Sequence, residues 1–326
     1  MLAPLARAAA FLLACAAAAA LHAAPRLVDR GAARVTMVFD EGGAGDRGFN
    51  QAANDGLLRA ARELGAVVAV VEAPSAQARA ATLRRLVDEG NMLVVAVGFR
   101  FVPDVVRVAG ERPAARLACV DCEAPAGGVP ANALFIRFRD DEAGRLAGLA
   151  AGAATTTGTV GFLGGVDSGP IRRFLAGYRA GVESVRPGTR VKEVFVGEGQ
   201  GAFSNPGRAR TLADGLYGAG ADVVFHAAGA SGLGLFDSAR AHRRWAIGVD
   251  VDQAAEAPQQ VLCSVSKDLS AAVFGAVRDA VEGRFQGGER VLGRAEGGVG
   301  LAWGPAAPPA TRARVEAALA AAAAPR

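Results

Sequence analysis

The chain contains 326 residues, 51% of them hydrophobic and 21% charged, which suggests about two domains of roughly 100–200 residues each. This composition excludes an intrinsically disordered chain and a collagen-like repeat. The formal net charge is only +4 and both signs are interspersed, so we expect no nucleic-acid partner. Three scattered histidines and four cysteines give no zinc-binding pattern, and we expect neither a metal nor a cofactor.

The first residues have the pattern of a targeting segment. Arg7 is followed by the apolar run Ala8–Ala20, which is too short and too rich in alanine for a confident membrane-spanning helix. Within it, Leu12-Leu13-Ala14-Cys15 resembles a bacterial lipobox, in which the cysteine is lipidated. Ordinary cleavage near Ala23 or Ala24 is the alternative. Either route predicts a mature protein outside the cytoplasm, periplasmic or in the cell envelope.

After this segment, short apolar strands alternate with helical patterns, as in parallel β-α-β units. The predicted strands of the first series are Val35–Phe39, Val67–Val71, Met92–Val97, Arg116–Val120 and Leu134–Phe138, and the predicted helices are Gln51–Leu64, Gln77–Glu89 and Asp104–Ala109.

A second series of similar build follows. Its predicted strands are Thr159–Leu163, Val191–Val196, Asp222–Phe225 and Trp245–Val249, and its predicted helices are Ile171–Val185, Arg208–Tyr217 and Leu233–His242. A last strand, Val261–Val265, and a last helix, Ser270–Arg284, come after both series.

The two series predict two lobes. If the last strand and helix return to the first lobe, the chain crosses several times between the lobes and forms a hinge. We therefore expect a leader over 1–24, a first lobe of 34–137 plus 262–285, a second lobe of 138–261 plus 286–304, and an Ala-rich tail over 305–326, read as a loosely attached helix.

Parallel sheets bind ligands beyond the carboxyl ends of their strands, so the turns there are the candidate sites. The turn over 40–50 contains a formal G-x-G-x-x-G pattern, and Glu72 ends the next strand, as in a dinucleotide-binding fold. However, Asp40, Glu41 and Asp46 crowd this turn and would repel a phosphate. A dinucleotide-dependent enzyme is thus the disfavoured alternative.

The same turn suits a neutral ligand that carries hydroxyl or amino groups. Asp40 accepts hydrogen bonds, Asn50 both donates and accepts them, and Phe49 offers an aromatic face. On spacing alone Phe49 fits the core equally well, whereas for Asp46 a helix-capping role is favoured.

Three further candidates follow strands of the second half. Asp250 and Lys267 come directly after predicted strands, where a turn-forming aspartate and a solvated lysine are the ordinary alternatives. Phe203 lies in a flexible turn and either faces Phe49 across the cleft or packs against its own lobe.

Two more segments border the expected cleft. Gly229 opens a run of small residues that permits close approach of a ligand to the backbone. Asp121 ends a strand and lies between Cys119 and Cys122, a pair that can form a short-loop disulfide in an oxidising compartment. No redox fold surrounds the pair, so catalytic redox use is not expected.

Together these residues resemble the basic membrane protein (BMP) family of ABC-transporter substrate-binding lipoproteins, which is related to the purine nucleoside receptor. The matching motifs run in family order over roughly 34–285: Asp40-x-Gly-Gly-x-x-Asp46-x-Gly-Phe49-Asn50-Gln51, Val160-Gly161-Phe162-Leu163-Gly164-Gly165, Phe174-x-x-Gly177-Tyr178-x-x-Gly181, Gly220-Ala221-Asp222-Val223-Val224-Phe225, Ala246-Ile247-Gly248-Val249-Asp250-x-Asp252-Gln253 and Ser264-Val265-Ser266-Lys267. Two departures are Gly48, where serine is common, and the cysteines beside Asp121.

The resemblance implies an α/β, type I periplasmic-binding-protein fold, with two doubly wound parallel-sheet lobes joined by a multi-crossover hinge. It implies a purine nucleoside as the small-molecule ligand, and roles for the candidate residues that spacing alone does not give. Phe49 and Phe203 would sandwich the base. Asp40, Asn50 and Asp121 would make polar contacts, Asp250 and Lys267 would hold the ribose hydroxyls, and Gly229 would approach through its backbone.

We therefore expect a monomeric, non-catalytic solute-binding protein that delivers its ligand to an inner-membrane ABC permease and contacts the membrane only through a lipid anchor on Cys15. A ligand sensor for a membrane signalling partner, built on the same fold, is the alternative of a different class.

Overall fold

A computed structural model describes residues 33–40, 43–73, 75–199 and 201–323, so the leader and Cys15 lie outside the described residues. The strands are β1 (Arg34–Phe39), β2 (Val67–Glu72), β3 (Leu93–Val97), β4 (Leu117–Val120), β5 (Ala133–Phe138), β6 (Thr159–Val166), β7 (Arg190–Gly197), β8 (Val223–Ala227), β9 (Trp245–Asp250), β10 (Val261–Lys267), β11 (Gly288–Leu292) and β12 (Val299–Trp303). The α-helices are α1 (Phe49–Leu64), α2 (Arg79–Asp88), α3 (Val102–Glu111), α4 (Asp140–Ala154), α5 (Gly169–Val185), α6 (Pro206–Gly218), α7 (Leu233–His242), α8 (Leu269–Val281) and α9 (Pro309–Ala323).

These strands form two six-stranded sheets, one in each lobe. The first lobe has the order β11-β5-β4-β3-β1-β2 and the second has the order β12-β10-β9-β8-β6-β7. Their pairs are parallel except that β12 runs antiparallel to β10. Central strands such as β3 are buried at every residue, because helices cover both faces of the sheet. The two predicted parallel-sheet lobes are confirmed.

The chain crosses between the lobes three times within its described part. It passes from β5 of the first sheet to α4, from β10 of the second sheet to α8, and from β11 to β12. Helix α8 lies in the first lobe against α1, where a Cβ atom on Gly56 would stand 2.3 Å from the carbonyl oxygen of Ser270. A hinge of several crossovers is therefore present.

Two segments lie in other lobes than expected. The segment 262–285 is assigned above to the first lobe, but β10 pairs with β9 in the second sheet and only α8 returns to the first lobe. The segment 286–304 is assigned above to the second lobe, where β12 does pair with β10, but β11 pairs with β5 in the first sheet. An apolar strand satisfies its backbone hydrogen bonds in either sheet, so its composition does not identify its neighbour.

Two helices differ from the sequence-based expectation. Helix α4 is not predicted at all, because it is made largely of glycine and alanine and is buried on nearly every side, which removes the helical alternation of polar and apolar residues. The C-terminal helix α9 is predicted, but it is firmly attached. Val315 is completely buried, and Arg314 donates a hydrogen bond to the carbonyl of Ala153 at 2.8 Å.

Helices α4 and α5 pack through glycines that allow their backbones to touch. A Cβ atom on Gly148 would stand 2.1 Å from the carbonyl oxygen of Tyr178, and one on Gly177 would stand 2.0 Å from that of Asp141. Neither backbone can retreat, because the helices are packed into the core of the second lobe.

We predict that Gly148→Ala lowers the free energy of unfolding by about 1–3 kcal/mol, because the added methyl group overpacks this contact. Urea denaturation measures the loss. The matched control is Gly215→Ala in α6, where a Cβ atom meets nothing within 4 Å. That control should be neutral or stabilising by about 0.5–1 kcal/mol, because alanine favours helix over glycine. Equal effects of the two substitutions would contradict the close-packing argument.

Candidate ligand-binding cleft

The carboxyl ends of the parallel strands from both lobes face one cleft. The cavity within it has a volume of ≈ 110 Å³. All eight residues proposed from the sequence line it: Asp40, Phe49, Asn50, Asp121, Phe203, Gly229, Asp250 and Lys267. Residues that are more than two hundred positions apart in the chain, such as Asp40 and Lys267, therefore meet at one cleft.

A buried lysine ammonium lies at the centre of the polar part of the cleft. The Nζ of Lys267 is 2.9 Å from Oδ1 of Asp121, 3.5 Å from Oδ1 of Asp140 and 3.7 Å from Oδ1 of Asp250. These three carboxylates follow β4, β5 and β9, so they come from both sheets. Lys267 is only 5% exposed. It is therefore the centre of a buried ion cluster and not a solvated surface charge.

Two of these aspartates have an unusual backbone conformation. Asp121 has φ +61° and Asp250 has φ +69°, both in the left-handed region. Aspartate tolerates this region better than most residues but seldom adopts it. Each residue lies where its strand ends, and both carboxylates reach Lys267. The left-handed backbone of Asp250 therefore both ends the strand and directs its carboxylate into the cleft.

Burial and charge together set the protonation of this cluster. Burial raises the pKa of Asp250 to about 7, although Lys267 opposes the shift. Burial likewise raises the pKa of Asp140 above its ordinary value, again against the attraction of Lys267. Burial alone would lower the pKa of Lys267, but its three carboxylates raise it instead. At neutral pH the ammonium is therefore charged, while Asp250 exchanges its proton readily.

The Asp40 carboxylate is engaged by arginines. Its oxygens accept hydrogen bonds from Nε and Nη2 of Arg79 at 2.7 and 2.8 Å, and from Nη1 of Arg100 at 3.2 Å. The guanidinium of Arg100 also donates to the carbonyl of Gly199 in the other lobe at 3.1 Å. Asp40 thus orients Arg100 at the cleft, whereas the sequence suggests only a direct polar contact with the ligand.

Aromatic rings from both lobes line the cleft. Phe49, from α1 of the first lobe, is half-buried: it packs against the core and also faces the cleft. Phe203, from the second lobe, contacts Phe99 edge-on at 6.5 Å between ring centroids. Gly165 leaves the space for the Phe203 ring, since a Cβ atom there would stand 2.2 Å from its Cε1. Gly229, with φ +54°, lies beside the same phenylalanine.

The lining or cluster residues that were not proposed from the sequence include Phe99, Arg100, Asp140 and Phe174. The signal for the first two was present, because Gly98–Phe101 directly follows β3 at the same edge of the sheet. Asp140 follows β5 in the same way, but it was hidden by the unpredicted helix α4, whose first residue it is.

The Gly-rich turn after β1 does not offer its amides to a phosphate. The carboxylate of Asp46 accepts hydrogen bonds from the backbone N–H groups of Gly48, Asn50 and Gln51 at 3.0, 2.9 and 3.0 Å. These are the amides at the start of α1 that a pyrophosphate would need. The capping role of Asp46 is confirmed, and the arrangement disfavours a dinucleotide at this turn.

Polar contacts also join the two lobes around the cleft. Arg47 of the first lobe pairs with Glu256 of the second at 3.1 Å, and Arg173 of the second lobe pairs with Glu123 of the first at 2.9 Å. With the Arg100–Gly199 bond, these contacts show the lobes closed upon one another. An arrangement of this kind can bury a small ligand between two rigid bodies.

Comparisons with known proteins agree with this geometry. A family model described as "ABC transporter substrate-binding protein PnrA-like" matches residues 33–318. The chain is 31% identical over 276 residues to a Lactococcus lactis protein named "ABC transporter nucleoside-binding protein BmpA", covering 78% of this chain and 77% of that one. It is 31% identical over 277 residues to an uncharacterized lipoprotein of Pyrococcus furiosus, covering 82% of this chain and 69% of that one. Among solved structures, a solute-binding protein of an Aeropyrum pernix ABC transporter system superposes with a TM-score of 0.77 at 28% identity, over 88% of this chain and 85% of that one.

The raised pKa of Asp250 predicts a pH-dependent stability. Between about pH 4 and pH 7 the folded protein keeps a proton that the unfolded chain releases, so stability falls as the pH rises through this window. Asp250→Asn in the ligand-free protein should therefore raise the free energy of unfolding at pH 8 by roughly 1–4 kcal/mol, and by much less at pH 4. Denaturation at both pH values measures this, with the exposed Asp252→Asn as the control. A destabilised Asp250→Asn variant at pH 8 would refute the assignment.

Proposed function

The chain belongs to the Bmp family of PnrA-like ABC transporter substrate-binding proteins, and we propose that the small molecule it passes to its permease is a purine nucleoside. The relative from Lactococcus lactis, whose printed name describes nucleoside binding, supports this choice. The fold agrees with it, because two lobes closing on a cleft suit a binding protein.

One observation carries the proposal: the cleft combines aromatic faces from opposite lobes with a buried carboxylate–ammonium pair. A planar base between Phe49 and Phe203 gains about 1–3 kcal/mol for each stacking contact, by analogy with bases stacked on aromatic side chains. The rings are half-buried, so their faces are already oriented by the protein.

The polar part of the cleft suits the ribose. Its vicinal hydroxyls are donors and acceptors at once, and Asp250 accepts hydrogen bonds whereas Lys267 donates them. Both groups are buried, which makes each hydrogen bond stronger than in water and each unpaired group costly. A base alone would stack on the rings without using these buried donors and acceptors, so the proposal is a nucleoside and not a free base.

Transport follows from a shift of population between open and closed forms. A ligand that touches Phe49 in one lobe and Phe203 in the other makes its full set of contacts only when the lobes are closed. It therefore stabilises the closed form, in which Arg47–Glu256 and Arg173–Glu123 are joined. The permease then distinguishes loaded from empty protein by the relative position of the lobes.

The binding protein must stay near its permease, and we propose a lipid on Cys15 for this purpose. ABC-transporter substrate-binding proteins work outside the cytoplasm. The lipobox-like Leu12-Leu13-Ala14-Cys15 and the lipoprotein relative from Pyrococcus furiosus support the anchor. Within the described residues, no helix is long and apolar enough to cross a membrane. We propose that a single copy of the chain binds one ligand.

We predict that Phe49→Ala and Asp250→Ala each weaken nucleoside binding by about ten- to a hundredfold, since the first removes a stacking face and the second a buried acceptor. Calorimetric titration of ligand-stripped protein with adenosine, guanosine, inosine, uridine, ribose and NAD measures this. The control is Phe285→Ala, which removes a half-buried phenyl ring outside the cleft and should leave affinity within about twofold.

The panel also tests the ligand class. Saturable binding of purine nucleosides, lost in both cleft variants and kept in the control, supports the proposal. Binding of ribose or NAD in place of nucleosides would overturn the choice of ligand. Normal nucleoside binding by both cleft variants would refute the site.

The anchor makes a separate prediction. Cys15→Ala should move the protein from the detergent-rich phase to the aqueous phase when cells that express it are partitioned in Triton X-114. A Cys263→Ala variant, which lacks a buried cysteine of β10, should stay in the detergent-rich phase. A Cys15→Ala protein that remains with the detergent would contradict lipidation at this residue.

A further inference from the structure

We propose that the disulfide between Cys119 and Cys122 is a positioning device for the ligand site: it holds Asp121 in the conformation that places its carboxylate on Lys267. The structure joins the two cysteines covalently and encloses Val120 and Asp121 in the short ring they form. The inference rests on the proposed function to the extent that ligand affinity is one of its readouts.

The ring acts on one residue above all. Cys119 and Val120 are the last residues of β4 and pair in register with Phe135 and Ile136 of β5. Asp121 follows with φ +61°, and the chain then returns to the sheet as the N–H of Cys122 donates to the carbonyl of Ile136 at 2.9 Å. Asp121 is thus the member of the ring with a left-handed backbone, and closing the ring restricts its conformation directly.

The conformation of Asp121 decides where its carboxylate points. If the backbone at Asp121 were extended, its side chain would point to one face of the sheet, as in a regular strand. It would then no longer reach the cleft. In the observed turn, the Asp121 carboxylate accepts a hydrogen bond from the Lys267 ammonium at 2.9 Å, across the boundary between the lobes. The disulfide restricts the unfolded and partly opened chain, and it therefore favours this otherwise uncommon backbone conformation of Asp121.

Lys267 depends on this contact more than on its others. The carboxylates of Asp140 and Asp250 lie at 3.5 and 3.7 Å from its Nζ, beyond Asp121. If Asp121 turns away, a completely enclosed ammonium loses its nearest partner and must move toward the other two. The ammonium and Asp250 are the groups that we propose for the ribose hydroxyls, so a movement here changes affinity.

The position of the sulfurs agrees with a positioning role. Both cysteines are 0% exposed, so a redox partner has no access to them in the folded protein. An extracytoplasmic compartment lets such a bond form and persist. The competing explanation is that backbone hydrogen bonds alone hold the turn, since the N–H of Gly98 also donates to the carbonyl of Val120 at 2.8 Å. The disulfide would then only add stability.

A double-mutant cycle separates these explanations. Nucleoside affinity is measured with and without Cys119→Ala/Cys122→Ala, once with Asp121 present and once in the Asp121→Asn background. Asparagine keeps the tolerance for left-handed backbone but removes the charge. We expect the loss of the disulfide to weaken binding about tenfold when Asp121 is present, and less than about threefold in the Asp121→Asn background. The melting temperature should fall equally in both.

The control for removing buried sulfur is Cys263→Ala, which deletes a free buried thiol of β10 and should leave affinity within about twofold. Equal weakening in both backgrounds of the cycle would show that the disulfide acts as a general stabiliser. No weakening in either background would show that the turn holds itself. Both results overturn the proposal.

A second readout needs no ligand. The chain has two lysines, Lys192 and Lys267, so ¹⁵N-lysine labelling gives two side-chain ammonium signals in an NMR spectrum. Removing the disulfide should shift or broaden the Lys267 signal and leave that of Lys192 unchanged, whereas Cys263→Ala should change neither. An unchanged Lys267 signal would overturn the proposal.

The affinity measurements and the NMR spectra together distinguish failure of this inference from failure of the proposed function. If the oxidised wild-type protein binds no nucleoside, the proposed function is wrong and the NMR arm alone decides the role of the disulfide. If the cysteine-free variant does not fold, the same spectra are recorded on oxidised wild-type protein and on wild-type protein that is reduced with a phosphine while unfolded and then refolded, so that both states share one sequence.

Discussion

The structure depends on the burial of one ammonium group, that of Lys267. A buried charge is tolerated only with partners that replace its water, and here three carboxylates supply them. Asp121 belongs to the first sheet, Asp250 to the second, and Asp140 stands where the chain passes from one lobe to the other. The ion cluster forms only when three strand ends and two crossovers are in place together, and it lines the cleft between the lobes. Burial is the main cause of the raised pKa of Asp250, and the neighbouring carboxylates add to it while Lys267 opposes it.

Much of this site could be predicted from the sequence because parallel sheets obey a simple geometric rule. Alternating strands and helices predict the sheets, and the carboxyl ends of the strands then bring Asp40, Asp121, Asp250 and Lys267 to one cleft. The rule fails where periodicity is absent. Helix α4 is made of small residues and buried on nearly every side, so it shows no amphipathic pattern, and Asp140 at its first position was lost with it. Nor does an apolar strand identify its neighbour, which is why β10 was expected in the wrong lobe.

Sequence patterns also could not predict ion pairs between residues that are far apart in the chain. Asp40 is a plausible ligand contact when it is seen alone at the end of β1, but Arg79 and Arg100 engage both of its oxygens. Such a pairing depends on the packing of two elements that have no common motif. The consequence is chemical as well as structural, because Asp40 orients a guanidinium beside Phe203, which then contributes a cationic edge to an aromatic cleft. The sequence places the carboxylate at the cleft, but it suggests a direct polar contact with the ligand and not the pairing with two arginines.

The Gly-rich turn after β1 shows why a motif does not define a ligand. Its glycines match the spacing of a dinucleotide-binding turn, and it opens a helix after the first strand, as such a turn does. What differs is the partner of the helix amides. In a phosphate site these N–H groups are satisfied by the ligand, whereas here the Asp46 carboxylate of the same turn accepts three of them. A second anion would meet a negative charge and amides already occupied. The glycine spacing alone therefore does not identify a phosphate site, because the acceptor that occupies the helix amides decides what the turn can bind.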